Sequence, residues 1–235
     1  MHNIIMNIES YLRKKQERKL EFRADREICS DCCQPQFNCY CHVVEKFDSK
    51  IEFVILIHPL ESRRRIATGR MAYQSLVNAH IFKGSYFPNH PKITALLAQP
   101  EYQNIILSPG EGATNLTGMP EEEIREHFPQ DKKLRIFVLD GTWGTVGKML
   151  SNTPALQKLQ KYFFIPDKPS NIRVRKQPNE KCYCTLEAIH HTIELLGPSQ
   201  GFDTTLRHHD KLLKPFNWMV ERQLERIKAH KNWRG

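Results

Sequence analysis

The chain has 235 residues, enough for one sizeable hydrophobic core with room for a small appendage. With 40% hydrophobic and 26% charged residues it has an ordinary globular composition, and no run approaches the ~18 apolar residues of a membrane span. A formal net charge of +9 points to a polyanionic partner such as nucleic acid, with a basic surface kept for solubility as the bland alternative.

Met1 to Ser10 is mixed in character and Tyr11 to Arg26 is charged, so no secretory signal is read at the start of the chain. The seven cysteines are therefore expected to be thiols or metal ligands, and the expected compartment is the cytoplasm. Residues 8–24 can form a helix with Ile8, Tyr11 and Leu12 on one side and charge elsewhere. Next come Cys29-x-x-Cys32 and Cys39-x-Cys41, two chelating pairs on either side of a short loop containing Pro35. Such pairs can close a tetrahedral thiolate site around a structural zinc, with four sulfurs leaving no open position for catalysis. Cys33 and His42 are the spare ligands, able to replace Cys32 and Cys41 respectively. So short a segment cannot build its own core, so zinc would fold it, and residues 1–45 are read as an N-terminal helix and cysteine cluster preceding a catalytic domain over 46–235.

From residue 51 the pattern changes to short apolar strands alternating with helices. Ile51–Ile57 is a β-branched run read as a buried strand, ended by His58-Pro59. A helix is predicted over 69–79, with Ala72, Leu76 and Ala79 on one face. Strands are predicted at 104–107, 135–139 and 162–165, the middle one running into Asp140-Gly141-Thr142-Trp143. The helix predicted over 185–196 carries Leu186, Ile189, Ile193 and Leu196 at near-ideal spacing and stops at Gly197-Pro198. His190 and His191 on it read as surface residues. Phe216, Met219, Val220 and Ile227 mark a last amphipathic helix opened by Pro215. Strand–helix alternation implies an α/β fold, a mostly parallel sheet flanked by helices, with ligands beyond the carboxyl ends of the strands, where His58, Ser108 and Asp140 fall.

No Walker A loop, Gly-x-Gly-x-x-Gly turn, Gly-x-Ser-x-Gly elbow or His-Glu-x-x-His pair is present, so the chemistry must come from the strand-end turns. Four segments stand out together: His58-Pro59-Leu60-Glu61 with Thr68-Gly69-Arg70, Leu107-Ser108-Pro109-Gly110, Leu139-Asp140-Gly141-Thr142-Trp143, and Arg173-Val174-Arg175-Lys176-Gln177-Pro178 leading to Cys184-Thr185-Leu186-Glu187-Ala188. In this order they resemble the DTW-domain family of tRNA-uridine aminocarboxypropyltransferases, and the cysteine cluster resembles that of bacterial members. The resemblance implies S-adenosylmethionine as donor, transfer of its 3-amino-3-carboxypropyl group to N3 of a uridine in tRNA, and release of methylthioadenosine. It also implies a SPOUT-like fold with a knotted cofactor site. Two departures concern substrate detail: Ala67 stands where many members have Asn, and Gly144-Thr145-Val146-Gly147-Lys148 replaces a Gln-Ala-Arg-like run.

Uridine N3 is a poor nucleophile until its imide proton is lost. Asp140 is therefore read either as the base that takes it or as the anchor of the donor's ammonium group. The family match places Thr68, Leu107, Ser108, Leu139, Trp143 and Thr185 around the donor, with Trp143 alternatively a core residue. Arg63, Arg64, Arg65, Arg173, Arg175 and Lys176 are the candidate RNA contacts. The rival readings are a SPOUT-type RNA methyltransferase and a zinc-bearing RNA-binding protein without catalysis.

Overall fold

The computed structural model describes residues 27–64, 66–170 and 182–232, with side chains described through residue 226. The chain divides into two compact units, Met1–His42 and Val43–Gly235. In the described part of the first, an antiparallel bridge joins Ile28 to Pro35 and the Cys29 N–H donates to the Gln34 carbonyl at 2.8 Å, so that the chain turns back within six residues. The helix expected over 8–24 lies outside the described residues.

Six strands form in the second unit: the mostly apolar runs at 53–57 and 134–140 are buried on both faces, and the other four strands are partly buried. The six are β1 (Glu52–Ile57), β2 (Ala79–Lys83), β3 (Tyr102–Leu107), β4 (Thr114–Asn115), β5 (Lys133–Asp140) and β6 (Gln160–Phe163). They make one six-stranded sheet in the order β2-β1-β5-β3-β6-β4, and every pairing is parallel. The helices are α1 (Pro59–Ser62), α2 (Thr68–Ser75), α3 (Pro91–Leu97), α4 (Glu121–His127), α5 (Trp143–Ser151), α6 (Pro154–Gln157), α7 (Thr185–Leu196) and α8 (Leu213–Asn232). The expected α/β architecture is what the chain adopts. Whether the chain is knotted depends on its unbroken path, and residues 171–181, between β6 and α7, lie outside the described residues.

Alternate side chains of each strand serve opposite faces. Val54 and Leu56 of β1, Phe137 and Leu139 of β5, and Ile106 of β3 pack with Ile93 of α3, Met149 of α5 and Leu156 of α6. The intervening residues, Ile55 and Ile57 among them, are buried on the other face, where α2 meets β1 and α7 meets β5. Among the described residues no helix is long and apolar enough to cross a membrane.

Several boundaries differ from expectation. The helix predicted over 69–79 ends at Ser75: Leu76 is extended, the Val77 N–H donates to the Phe47 carbonyl at 3.0 Å, and Ala79 opens β2 beside β1. Leu76 and Ala79 are three apart, so they satisfy helical spacing although one leaves the helix and the other starts an edge strand. The strand expected at 162–165 is shifted to Gln160–Phe163, leaving Ile165 exposed beyond its end. Pro215 is the third residue of α8, not the first, still within the turn whose N–H groups lack helical partners. Gly197 does close α7, but with a right-handed φ of −55°. A Cβ there would lie 2.5 Å from the Ile193 carbonyl, so the glycine is needed for close approach and not for a left-handed turn.

One buried charge anchors the amino edge of the sheet. Arg135 of β5 is 1% exposed; its guanidinium bonds the Glu52 carboxylate, the Leu96 carbonyl and, at 2.5 Å, the Gln99 side chain, and lies 3.6 Å from the Tyr102 ring centroid. Removing one member of such a set leaves the others desolvated without compensation. Arg135→Ala is expected to lower the unfolding free energy by about 3–5 kcal/mol in urea titrations, with Arg135→Met, closer in volume, costing less.

Candidate functional site

Because all the strands are parallel, their carboxyl ends share one edge of the sheet. β5 lies between β1 and β3, at the point where successive strands pass to opposite sides, which is where open α/β sheets hold ligands. Asp140 is the last residue of this strand. It pairs in register with Ile57, and its carbonyl accepts from the His58 N–H at 2.9 Å. Its side chain, only 5% exposed, turns to the face covered by α2 and α7. One oxygen, Oδ2, accepts from the Gly69 N–H at 3.2 Å; the other, Oδ1, accepts from the Thr185 hydroxyl at 2.7 Å.

Both donors sit in the first turn of a helix, where backbone N–H groups lack partners and the helix dipole favours negative charge. The cap position of α2 is Ala67, which offers no side-chain acceptor. Asp140 supplies one from 71 residues away. The Ala67 departure therefore leaves α2 dependent on the carboxylate. The approach is close: a Cβ on Gly69 would lie 2.4 Å from Asp140 Oδ2 and 3.1 Å from Ile55 Cγ2. Helix α7 starts differently. Cys184 is its cap, and a reciprocal box joins the Cys184 sulfur to the Glu187 N–H and the Glu187 carboxylate to the Cys184 N–H at 2.9 Å. Burial of the sulfur pushes the Cys184 thiol well above its usual range, so it caps as a neutral group. Ser170 adds a 2.7 Å bond to the same Glu187 oxygen. Thr185 is the first helical residue and not the cap, which frees its hydroxyl for Asp140.

The other expected donor residues are distributed around this point. Thr68 is buried at the start of α2. Leu107 ends β3, and Ser108, buried beyond it, donates its N–H to the Tyr162 carbonyl at 2.8 Å. The side chain of Leu139 belongs to the core on the opposite face, which leaves its backbone as the part nearest the edge. Trp143, which opens α5 behind a Thr142 cap, is not a core residue: it is 65% exposed. Of the expected RNA contacts, Arg63 is exposed and Arg64 is paired with Glu61 at 3.0 Å, while Arg65, Arg173, Arg175 and Lys176 lie outside the described residues.

In the first unit, Cys29, Cys32, Cys39 and Cys41 place their sulfurs within 4.8 Å of one another. Two of the separations are 3.8 Å (Cys29 to Cys41) and 3.7 Å (Cys32 to Cys39). A tetrahedron with Zn–S bonds of about 2.3 Å has sulfur–sulfur edges of about 3.8 Å, so the cluster has the donors and dimensions to bind zinc. Cys33, the spare thiol, is exposed and left-handed at φ 56°, the turn residue after Cys32. Backbone N–H groups of Cys32 and Asp31 pull the Cys29 thiol down to about 7, while burial pushes Cys32 up to about 11 and Cys41 further still.

A second group, His190, His209 and Asp210, also brings ligand atoms within 4.8 Å. Contrary to the surface reading of His190, it is buried and bonded to Asp210 at 2.8 Å. Arg207 already supplies the positive charge here, donating to Asp210 at 3.0 and 2.7 Å and to Glu194 at 2.5 Å. Burial opposes ionisation of both carboxyls, but those bonds prevail and hold both below the usual carboxylate range, while burial pushes His209 down. This is a charge-compensated strut between α7 and the following loop.

Two outcomes follow from these geometries. Gly69→Ala must displace either the carboxylate or Ile55, and is expected to destabilise the protein by about 1–3 kcal/mol in urea unfolding. The purified chain is expected to carry one zinc, measurable by atomic absorption. Because all four thiols must lose protons to bind, metal retention should weaken progressively as pH falls. Cys32→Ser should lose the metal.

Residues 26–224 match the DTW domain. The chain is 29% identical over 209 residues to tRNA-uridine aminocarboxypropyltransferase 2 of Drosophila melanogaster, covering 85% of this chain and 76% of that protein. It is 26% identical over 194 residues to tRNA-uridine aminocarboxypropyltransferase A of Arabidopsis thaliana, covering 74% of each. No solved structure matches. With a match running through nearly the whole of its length, this chain belongs to the DTW domain family.

Proposed function

We propose that the chain transfers the 3-amino-3-carboxypropyl group of S-adenosylmethionine to N3 of a uridine in tRNA. In that reaction the uridine N3–H bond breaks, its proton passing to solvent, and N3 forms a bond to the γ-carbon of the methionine moiety. The S–C bond opens, and its electron pair returns to sulfur. The cationic sulfonium becomes the neutral thioether of methylthioadenosine. The names of the two relatives support this reading, as does the net charge of +9.

The observation that carries it is the Asp140 carboxylate at the carboxyl end of the central strand, between the first turns of α2 and α7. Of its two candidate roles, anchoring the donor's ammonium fits this setting better than general base. A carboxylate accepts several hydrogen bonds at once, so it can meet an ammonium group while it receives the Gly69 N–H and the Thr185 hydroxyl. On this reading Thr68, Leu107, Ser108, Leu139, Thr185 and the backbone around them enclose the donor, and Asp140 fixes the γ-carbon for in-line attack. Zinc is structural, held by Cys29, Cys32, Cys39 and Cys41. Arg63 and the cations at 173–176 contact tRNA phosphates.

Mass spectrometry of nucleosides from tRNA incubated with the protein and S-adenosylmethionine should show a uridine carrying the aminocarboxypropyl group. A single added methyl would assign the methyltransferase alternative, and no donor binding in calorimetry would leave only RNA binding. Asp140→Asn is expected to weaken donor binding by about tenfold or more, the scale of one charge-assisted contact. Turnover lost with donor affinity intact would make Asp140 the base.

A further inference from the structure

The C-terminal helix carries chemistry that the donor site does not use. α8 packs on α2 and α7, the two helices that cover the Asp140 face of the sheet, and buries Phe216, Met219 and Val220. Glu45 fastens its start: the carboxylate bonds the Lys214 ammonium and lies 3.9 Å from that of Lys211. Val220 is the last buried residue among those whose side chains are described, yet the helix runs on for about three turns to Asn232. Packing supplies most of a helix's stability in a folded protein, so a helix that outruns its packing has a face left to offer.

That face is basic. α8 holds five lysine and arginine residues against Glu221 and Glu225, so 20 of the 235 residues carry a third of the net charge of +9. Trp218, Arg222 and Arg226 follow at intervals of four, along one ridge of the helix, and both arginines are exposed. The Arg222 guanidinium lies over the Trp218 ring, 5.3 Å from its centroid, and meets Glu225 at 3.3 Å. An exposed pair of that kind is weak, and a guanidinium with five N–H donors keeps a fork for the oxygens of a phosphate while the indole steadies its plane.

Charge complementarity selects the occupant. A ridge of cations suits the regularly spaced phosphates of a nucleic acid. An anionic lipid surface would be matched in charge too, but a helix that lies on lipid inserts its apolar face, and that of α8 is buried within the protein.

We propose that α8, through Arg222 and Arg226, anchors the phosphate backbone of the tRNA. It contributes affinity without touching the reacting atoms. The proposal rests on the choice of tRNA as partner in the reading above, and adds a surface whose last turns run past residue 224, where the DTW domain match ends.

The full-length chain and an unmodified tRNA transcript provide the test. Arg222→Gln with Arg226→Gln is expected to raise Kd for the transcript by about tenfold and to lower the slope of log Kd against log salt by about 1–2, the loss of two phosphate contacts. Affinity for S-adenosylmethionine by calorimetry should stay within about twofold, which also reports that the variant is folded. Arg222→Lys with Arg226→Lys keeps the charge and should keep Kd within about threefold. Lys92→Gln with Lys158→Gln removes the same charge from α3 and the end of α6, on the opposite face, and should change Kd by less than about twofold. Equal weakening by the two glutamine pairs would make the attraction diffuse and overturn the proposal, as would an unchanged Kd without the arginines. Binding to phosphatidylserine vesicles that disappears with the arginines while tRNA binding persists would reassign the helix to a membrane surface, against the proposal. A wild type that binds the transcript through these arginines but transfers nothing to it would end the transfer reading and leave the helix assignment in place. A wild type that binds no transcript would end both.

Discussion

The carboxyl edge of this sheet depends on a single carboxylate accepting from two helices at once. Asp140 receives the Gly69 N–H on one oxygen and the Thr185 hydroxyl on the other. Neither helix is fastened there by local sequence alone. α2 begins at an alanine that offers no cap, and α7 satisfies its own first turn through Cys184 and Glu187, leaving Thr185 to point at the strand. The central strand thus sets the spacing of both helices. The glycine at 69 follows from the same constraint, since any side chain there would occupy the place of the carboxylate oxygen.

Much of the fold is legible in the amino-acid sequence because it rests on local patterns. The run from Phe53 to Ile57 can hardly be anything but a doubly buried strand, and α7 begins and ends where its apolar spacing and its Gly-Pro stop place it. What local patterns miss is instructive. Leu76 and Ala79 keep helical spacing across a helix end, because a period of three to four residues cannot distinguish a helix face from a helix followed by a strand. Arg135 is invisible as a buried group, since its partners Glu52, Leu96 and Gln99 come from other elements. The short helices at 121–127 and 154–157 carry too few residues to show a period.

The site divides in the same way. Asp140, Thr68 and Thr185 emerge from motif order, and the fold brings them to one place; the bond to Gly69 N–H could not be read, because it joins residues 71 apart through a backbone group that any sequence possesses. Trp143 shows the limit of residue-type statistics. A tryptophan at a strand end is most often core, yet the turn after Asp140 carries it outward into water. The four clustered cysteines are legible from spacing alone, and their sulfur separations have the dimensions of a tetrahedral zinc site. The carboxyl edge therefore holds a buried carboxylate between the first turns of two helices.

Amide hydrogen exchange in wild type and Asp140→Ala tests the carboxylate's organising role most directly. If it fastens the two helices, the variant loses protection at the Gly69 amide and in the first turns of α2 and α7, while the interior of β1 and β5 exchanges as before. Equal protection of the Gly69 amide in both proteins would contradict the account.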